Sequence, residues 1–457
     1  MRSVESNRSQ SCREEFNLDK RCGQLEYRYI THWIYRWRNP KCNGRLPPGS
    51  MGLPLLGENL QFFTSYNSFG IPPFIEKRMQ RYGPLFKTSL LGQRVVISTD
   101  PEFNHYILQQ EGKLVELWYM DSFMELIGQQ VSSNTVHRHV KSIVMNDFGV
   151  ESLKGTTILD VEQMVRQTLL SWSRMETIEV RMATQNMAFE LGAKKLISYD
   201  STKSAFLVQA RKSVIKMLRD MLKERRASSI SKKSSDDFLD HVIQEMEKEG
   251  TFFTEEASVQ LIFALIFATF ETTSMALILA IKFLTDNPAV LNELTEEHEA
   301  ILRRRRNMDS AITWEKYRSM TFTLMVIHEV LRLANIVTGI FRRALKDIQI
   351  NGYTIPAGWT IMVCPFTLHL NPSKYGDPLA FNPWRWKGLA QNTSKNFIAF
   401  GGGKRSCVGA EYSKVVMAVF LHSLVTKHRW RIVEGGEIVR TPSLSFPNGF
   451  HIRVLEK

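Results

Sequence analysis

The alternation of apolar and polar positions predicts two β-hairpins in this chain. Residues 85–90 and 94–98 flank a turn at Leu91-Gly92-Gln93, and residues 347–363 place a strand on each side of Asn351-Gly352. Asn-Gly between two apolar segments is typical of a tight hairpin turn. Asp100-Pro101 follows the first hairpin and predicts a helix, with the aspartate as N-cap and the proline in the first helical position.

Helical patterns dominate residues 151–302, interrupted by a charged, serine-rich loop that we predict at Lys223 to Asp237. Further helices are predicted from about Phe322 and over Glu411 to Val425. We find no internal repeat in the sequence. The pattern therefore predicts a mainly α fold with a small antiparallel β region.

The longest apolar stretch, Val259 to Leu284, decides whether the sequence predicts a membrane span. It carries Glu271, Thr272 and Thr273 near its centre. An ionisable side chain at the bilayer midplane costs ~2.5–3.5 kcal/mol on insertion scales. This cost favours a buried core helix over a transmembrane helix.

The domain organisation changes at Leu46-Pro47-Pro48-Gly49-Ser50, a stiff and extended segment. We interpret residues 1–45 as a polar leader without a visible apolar anchor, and residues 46–457 as one globular domain. Tyr27 to Trp37 is aromatic and basic. That composition suits a membrane interface and equally a surface helix resting on the domain, so both interpretations stay open at this point.

Charge narrows the class of partner only partly. Lysine and arginine number 59 against 46 aspartate and glutamate, a formal net charge of +13, which favours an acidic protein, an anionic membrane or nucleic acid. The run Arg303 to Arg306 has no interleaved aromatic residues, so it favours a solvated helix end over nucleic-acid binding. The five cysteines include no Cys-x-x-Cys pair, which argues against a disulfide framework or a zinc finger and favours a reducing compartment.

The strongest chemical signal is the segment from Phe400 to Gly409, which has the spacing Phe-x-x-Gly-x-Arg-x-Cys-x-Gly. Its glycines let the backbone turn tightly and approach a flat partner. Cys407 stands just before a helix predicted to begin at Ala410, and a helix N-terminus favours thiolate. A thiolate in a glycine loop suits an axial ligand of haem iron. A buried structural cysteine is the alternative that the full spacing argues against.

Two further segments place charged or polar groups on helices. Glu329 and Arg332 share one helix face, and Arg385 could join them in a Glu–Arg–Arg network, although an exposed pair of this spacing would mean little. Glu271 and Thr272 interrupt an apolar helix. They suit a proton relay to a bound ligand, whereas a hydroxyl bonded back to its own helix is the structural alternative.

These three segments, in this order, resemble the cytochrome P-450 haem-thiolate monooxygenases over residues 46–457. Leu46 to Pro54, Arg81 to Phe86 and Gly352 to Trp359 are similar to the plant clan that oxidises sterols, brassinosteroids and triterpenoids. The resemblance implies the mainly helical cytochrome P-450 fold, haem b as cofactor, and endoplasmic reticulum localisation on the cytosolic face of the membrane. Without a visible anchor, a peripheral or soluble location is also open.

The resemblance also implies a role for each matching residue. Cys407 would be the proximal ligand of the haem iron and Phe400 would pack over its sulfur. Glu271 and Thr272 would deliver protons during oxygen activation. The propionates would face Arg405 and Arg342, with Lys141 as a weaker candidate. The structural triad behind the haem would consist of Glu329, Arg332 and Arg385.

The implied reaction is hydroxylation of a steroid or triterpenoid with O2, with electrons from NADPH supplied through a separate reductase. No nucleic-acid partner is expected. The alternative is a haem-binding pseudoenzyme or a truncated variant with an incomplete substrate pocket, and two departures from the family support it. Thr269 stands where the family usually has glycine, and the stretch 193–223, which in relatives includes a helix over the substrate pocket, is short. Phe270 also departs, since the family often has a small or polar residue there. A basic scaffold or nucleic-acid-binding protein is a second alternative, which predicts no haem absorbance.

Overall fold

A computed structural model describes residues 31–37, 39–121, 123–124, 134–198, 211–228, 237–304, 311–388 and 396–457. Most of the leader (1–30), twelve residues of the short stretch (199–210) and the end of the arginine run (305–306) lie outside the described residues. The division of the chain at residue 45 stays a prediction.

The described helices are α1 (31–37), α2 (Asn59–Phe62), α3 (Pro73–Tyr82), α4 (Pro101–Gln109), α5 (Asn134–Phe148), α6 (Val150–Ser152), α7 (Ile158–Ser173), α8 (Val180–Ile197), α9 (Arg211–Ser228), α10 (Phe238–Met246), α11 (Glu255–Asp286), α12 (Pro288–Arg303), α13 (Trp314–Ser319), α14 (Thr321–Ala334), α15 (Pro365–His369) and α16 (Ala410–Lys427). A π-helical turn at Leu153–Thr157 joins α6 to α7, and 3-10 turns lie at Pro383–Trp386 and Gly403–Arg405.

The strands are β1 (Leu85–Leu90), β2 (Gln93–Ser98), β3 (Val115–Leu117), β4 (Ile178–Glu179), β5 (Ile340–Ala344), β6 (Ile348–Ile350), β7 (Tyr353–Ile355), β8 (Thr360–Val363), β9 (His428–Gly435), β10 (Val439–Thr441), β11 (Ser443–Ser445) and β12 (Phe450–Glu456). A five-stranded sheet has the order β1-β2-β8-β5-β3, with β2 and β8 parallel and its other pairings antiparallel. The remaining strands form the antiparallel sheets β4-β12-β9, β6-β7 and β10-β11. The prediction of a mainly α fold with a small, largely antiparallel β region is confirmed.

Local sequence signals explain how several elements begin and turn. The hairpins β1–β2 and β6–β7 turn where predicted, with Leu90 opposite Gln93 and Ile350 opposite Tyr353. Asp100 caps α4 as expected, because its carboxylate accepts hydrogen bonds from the backbone N–H groups of Glu102 and Phe103.

The prediction of a loop at Lys223 to Asp237 is wrong for its first six residues, because α9 continues to Ser228. Arg225 lies in this last part of the helix and donates hydrogen bonds to Asp237 and Asp240, at 3.0–3.1 Å. These buried partners on the next helix stabilise a helix end whose composition alone indicates a loop.

The apolar stretch forms α11, which packs against α8, α9, α14 and α16. By length and composition it could cross a membrane, and half of its most apolar 18-residue window is buried inside the protein. Its second half is continuously buried from Thr273 to Ile281. This agrees with a core helix, and Thr272 and Thr273 lie near the middle of that helix.

Candidate active site

A cavity of about 300 Å³ lies next to α11 and the loop that precedes α16. Thr272 and Thr273 of the helix line it, and so do Phe400 and Cys407 of the loop. The fold therefore brings together two segments that are more than 120 residues apart in the sequence. The cavity has a larger apolar than polar surface, which is typical of a site for an apolar ligand or cofactor.

The loop before α16, which we call the cysteine loop (Ile398 to Gly409), is closed by its own backbone. The N–H of Cys407 donates to the carbonyl of Phe400 at 2.9 Å, and the N–H of Gly401 donates to Ile398 at 2.8 Å. Gly403 has φ +67°, and a Cβ there would overlap the carbonyl oxygen of Leu108. Glycine is therefore required at this position, both for the backbone conformation and for the close approach of α4.

The Cys407 side chain is accessible from the cavity and enclosed by protein on its other sides. This enclosure raises the pKa of the thiol, while the backbone N–H of Gly409 and the nearby Lys141 ammonium lower it. The two lowering groups stabilise negative charge on sulfur. A bound metal ion would stabilise the thiolate far more strongly, because a coordinating thiol is deprotonated outright.

Lys141 of α5 binds the cysteine loop from outside the cavity lining. Its Nζ donates to the carbonyls of Lys404 and Ser406 and to the Ser406 hydroxyl, each at 3.2 Å. The structure thus places the Lys141 ammonium behind the loop, next to the residue that precedes Cys407. Its predicted contact with a propionate stays a prediction.

Arg342 of β5 and Arg405 of the cysteine loop both line the cavity and both contact Glu111. Arg405 Nε donates to Glu111 Oε1 at 3.0 Å, and Arg342 Nε lies 3.0 Å from Glu111 Oε2 without hydrogen-bond alignment. The three side chains are almost completely buried, with 1–3% of their surface exposed. Two buried guanidinium groups therefore share one carboxylate, which leaves one positive charge in excess beside the cavity.

These features fit haem b. The cavity offers a cysteine sulfur for the iron, glycines that allow close approach of a flat ring, and apolar walls. Arg342 Nε and Glu111 Oε2 have no hydrogen-bond partner among the described residues, and buried charge without full compensation is costly. An anionic group such as a propionate would balance the excess charge through bidentate contacts to arginine.

The predicted Glu–Arg–Arg residues meet in a buried network outside the cavity lining. Glu329 and Arg332 have fully buried side chains, and Glu329 accepts hydrogen bonds from Nε and Nη2 of Arg332, each at 2.8 Å, and from Nε of Arg385 at 2.9 Å. Trp386 Nε1 also donates to Glu329, at 2.9 Å. Arg332 Nη1 donates to the carbonyls of His369 and Pro378, so the carboxylate and the arginine are both satisfied.

Glu271 and Thr272 take different directions from α11. Thr272 lines the cavity, and its hydroxyl donates to the carbonyl of Ala268 at 2.9 Å, which is the back-bonded geometry of the structural alternative. Glu271 turns towards α8, where Gln185 donates to it at 3.1 Å and Arg181 lies 4.0 Å away. The Glu271 side chain is 39% exposed, so it is reached by solvent rather than enclosed.

Sequence reasoning missed Glu111, His137, Asn335 and His369. His137 stands four residues before Lys141, one helical turn away, and this spacing could have indicated a shared face. Burial and the positive charges of Arg405, Lys141 and Arg342 lower its pKa to about 4, so it is neutral at physiological pH. Glu111 gives no sequence signal, because its partners come from two distant segments.

The model of the family Cytochrome P-450 matches residues 166–451, which is more than half of the chain. The chain is a cytochrome P-450.

Curated relatives agree with this membership. Cytochrome P-450 87A3 of Oryza sativa subsp. japonica is 49% identical, over 93% of this chain and 89% of that protein. A beta-amyrin 16-alpha-hydroxylase of Maesa lanceolata is 42% identical over 94% of this chain and 96% of that protein, and a cucurbitadienol 11-hydroxylase of Siraitia grosvenorii is 41% identical over 94% and 97%.

Among solved structures, the retinoic acid bound cyanobacterial CYP120A1 matches with a TM-score of 0.79 over 91% of this chain and 100% of that one. At 23% identity this likeness shows the fold alone. This cytochrome P-450 is thus a haem b monooxygenase of the mainly helical fold that the sequence predicts, and its curated relatives include plant hydroxylases of triterpenoids and steroids. None of these findings supports the pseudoenzyme alternative.

Proposed function

We propose that this cytochrome P-450 hydroxylates a triterpenoid or steroid, using O2 and electrons that NADPH supplies through a separate reductase. The observation that carries the proposal is that Cys407 and Thr272 line one predominantly apolar cavity. The hydroxylase relatives at 41–42% identity act on triterpenoids by name, which supports this substrate class over small polar compounds.

In this proposal the cofactor supplies the iron that activates O2. The residues around it hold the cofactor and deliver protons to the cavity. Cys407 would hold the haem iron as a thiolate ligand, and Lys141 and the Gly409 N–H would help to keep its sulfur charged. Phe400, which lines the same cavity as Cys407, would pack over the sulfur. Arg342 and Arg405 would bind the propionates, and the ion-paired Glu329, Arg332 and Arg385 would form a rigid base behind the site.

Glu271 and Thr272 divide the proton delivery between solvent and cavity. Glu271 is reached by water and can take up a proton there, while the hydroxyl of the adjacent Thr272 lines the cavity and can hand a proton on. The Thr272 hydroxyl must exchange its bond to the Ala268 carbonyl to do so. The relay thus depends on rotation of this hydroxyl group rather than on a fixed hydrogen bond.

A basic cleft beside the cysteine loop supports docking of an acidic reductase. The cleft has a volume of about 390 Å³ and is lined by His137, Arg138, Lys141, Lys404 and Arg405, with Glu111 as its carboxylate. Arg138 and Lys404 are exposed there. Positive charge at such a surface accelerates encounter with an acidic partner and makes the rate depend on salt.

Membrane association is proposed through the aromatic and basic segment Tyr27 to Lys41. Within its described part, α1 exposes Trp33 and Tyr35 by 49% and 64%, and Trp37 Nε1 donates to the carbonyl of Met51. Interfacial aromatic and basic residues bind the cytosolic face of the endoplasmic reticulum weakly. High salt should then strip the protein from microsomes, whereas retention in high salt would contradict this mode of binding.

Turnover in a reconstituted system tests the substrate class. Holoprotein and reductase in vesicles should convert a triterpenoid alcohol or a sterol to a product one oxygen atom heavier, with Cys407→Ser as the inactive control. A fatty acid should not be converted at a comparable rate. Oxidation of the fatty acid alone, with no triterpenoid or steroid product, would contradict the proposal.

A further inference from the structure

His369 ends α15 and is completely buried, with both ring nitrogens engaged. Nδ1 lies 2.7 Å from Asn335 Oδ1, and the backbone N–H of Ile398 donates to Nε2 at 3.0 Å. Because a backbone N–H can only donate, Nε2 is the acceptor and Nδ1 carries the hydrogen. The two bonds therefore select one neutral tautomer.

The two partners of His369 belong to different parts of the site. Asn335 is the left-handed C-cap of α14, the helix that carries the Glu329–Arg332 pair, and its side-chain amide donates to the carbonyl of Arg332. Ile398 begins the cysteine loop, two residues before the carbonyl that receives the N–H of Cys407. The imidazole thus bridges the end of α14 and the start of the loop.

The environment of the ring keeps this bridge intact. Burial and the positive charge of Arg332 lower the pKa of His369 to about 3, so the ring is neutral at physiological pH. The His369 carbonyl accepts from Arg332 Nη1 at 2.8 Å, and Phe397 packs against the ring with centroids 5.3 Å apart. Backbone and side chain of one residue are therefore both fixed.

We propose that His369 is a positioning residue for Cys407, because its Nε2 holds the Ile398 end of the cysteine loop and so sets the direction of the sulfur into the cavity. This inference rests on the proposed role of Cys407 as the thiolate ligand. His369 lines the same cavity but acts through the loop and not on the substrate.

Three substitutions separate positioning from general stability. His369→Phe keeps a ring but cannot accept the Ile398 N–H, whereas the amide oxygen of His369→Gln can. His328→Phe is the matched control, because His328 is a partly buried imidazole whose ring packs against Phe397 and Trp386, with centroids 5.5 Å and 5.3 Å away.

The readout is the Soret spectrum of the reduced, carbon-monoxide-bound protein. In His369→Phe most of the haem should lose the thiolate-type band, His369→Gln should retain a larger share, and His328→Phe should match the unsubstituted protein. A full thiolate-type band in His369→Phe would overturn the role of His369 while leaving Cys407 as ligand. Absence of the band from the unsubstituted protein would overturn both.

Hydrogen–deuterium exchange of the peptide 396–407 provides a readout that needs no haem. Exchange there should be about tenfold faster in His369→Phe than in His328→Phe, since the loop loses the bond that holds its start. Equal exchange rates in the two variants would overturn the proposal. This holds even if His369→Phe does not bind haem, because the exchange rate is measured on the protein backbone.

Discussion

Gly192 of α8 lies directly against Thr269 of α11, so that a Cβ at Gly192 would overlap the Thr269 hydroxyl. The hydroxyl itself donates to the carbonyl of Ile266 at 2.8 Å. Thr269 is the residue that the family resemblance marks as standing in the place of a glycine. Here it packs into the space that Gly192 leaves, while Thr272, Thr273 and Ala276 line the cavity. The departure is therefore accommodated between two helices.

Gly192→Ala should destabilise the protein, although alanine is intrinsically better than glycine in a helix. Overpacking of a close helix contact costs ~1–3 kcal/mol, whereas the gain in helix propensity is at most ~1 kcal/mol. Denaturant unfolding should show a lower free energy of unfolding for Gly192→Ala. Adding Thr269→Gly to that variant should restore most of the lost stability. A Gly192→Ala protein more stable than the unsubstituted one would show that the contact is loose.

Glu329→Ala should nearly abolish accumulation of holoprotein. The substitution leaves Arg332 buried without its carboxylate, which costs ~3–5 kcal/mol against a typical total stability of ~5–15 kcal/mol. The control is Glu293→Ala, since Glu293 is only partly buried and accepts a solvent-exposed hydrogen bond from Trp384 at 2.7 Å. Equal haem content and yield in the two variants would contradict a structural role for the network.

Thr272→Ala should bind haem and consume NADPH but release several-fold more hydrogen peroxide per product. The hydroxyl that can pass a proton to the cavity is gone, so oxygen activation is less tightly coupled to hydroxylation. Thr272→Ser keeps a hydroxyl and should stay close to the unsubstituted ratio. Glu271→Gln should slow turnover by ~10-fold or more, because the amide cannot titrate.

An unchanged ratio of peroxide to product in Thr272→Ala would contradict the relay. The role of the Thr272 hydroxyl would then be only structural, namely its hydrogen bond to the Ala268 carbonyl.

His328 should make stability depend on pH. Burial, assisted by Lys414, lowers its pKa to about 4. The unfolded chain gains a proton on this histidine below about pH 6.5, whereas the folded protein does not. The free energy of unfolding is therefore unaffected by His328 at higher pH and falls as the pH decreases from 6.5 towards 4. The expected loss is ~2 kcal/mol at pH 5.

His328→Phe keeps an aromatic ring and removes this titration. Unfolding free energies at pH 7.5 and pH 5 should therefore differ by ~2 kcal/mol less in the variant than in the unsubstituted protein. The same pH dependence in both would mean that His328 is already free to bind a proton in the folded state.

The sequence predicts the parts of this fold that local signals encode. The Asn351-Gly352 turn, the Asp100 cap and the apolar run of α11 each act within a few residues, and each lies where predicted. The end of α9 could not be predicted in this way, since Arg225 is held by Asp237 and Asp240 of another helix.

The site shows the same division. Cys407 and the Glu329–Arg332 spacing stand out in the sequence because close neighbours carry the signal. Glu111 and His369 do not, because their importance comes from partners more than 28 residues away that only the fold brings near. The direction of a side chain also cannot be predicted from the sequence. The sequence shows that Glu271 precedes Thr272, but it does not show that the Glu271 side chain turns towards Gln185.

The reduced carbon monoxide difference spectrum of Cys407→Ser tests the central claim most directly. Cys364→Ser is the matched control, because Cys364 is fully buried outside the cavity lining and burial raises its pKa to about 12. We expect the unsubstituted protein and Cys364→Ser to show a thiolate-type Soret band, and Cys407→Ser to lack both the band and monooxygenase activity. A Cys407→Ser protein with the band and normal turnover would contradict the assignment of Cys407 as the haem ligand.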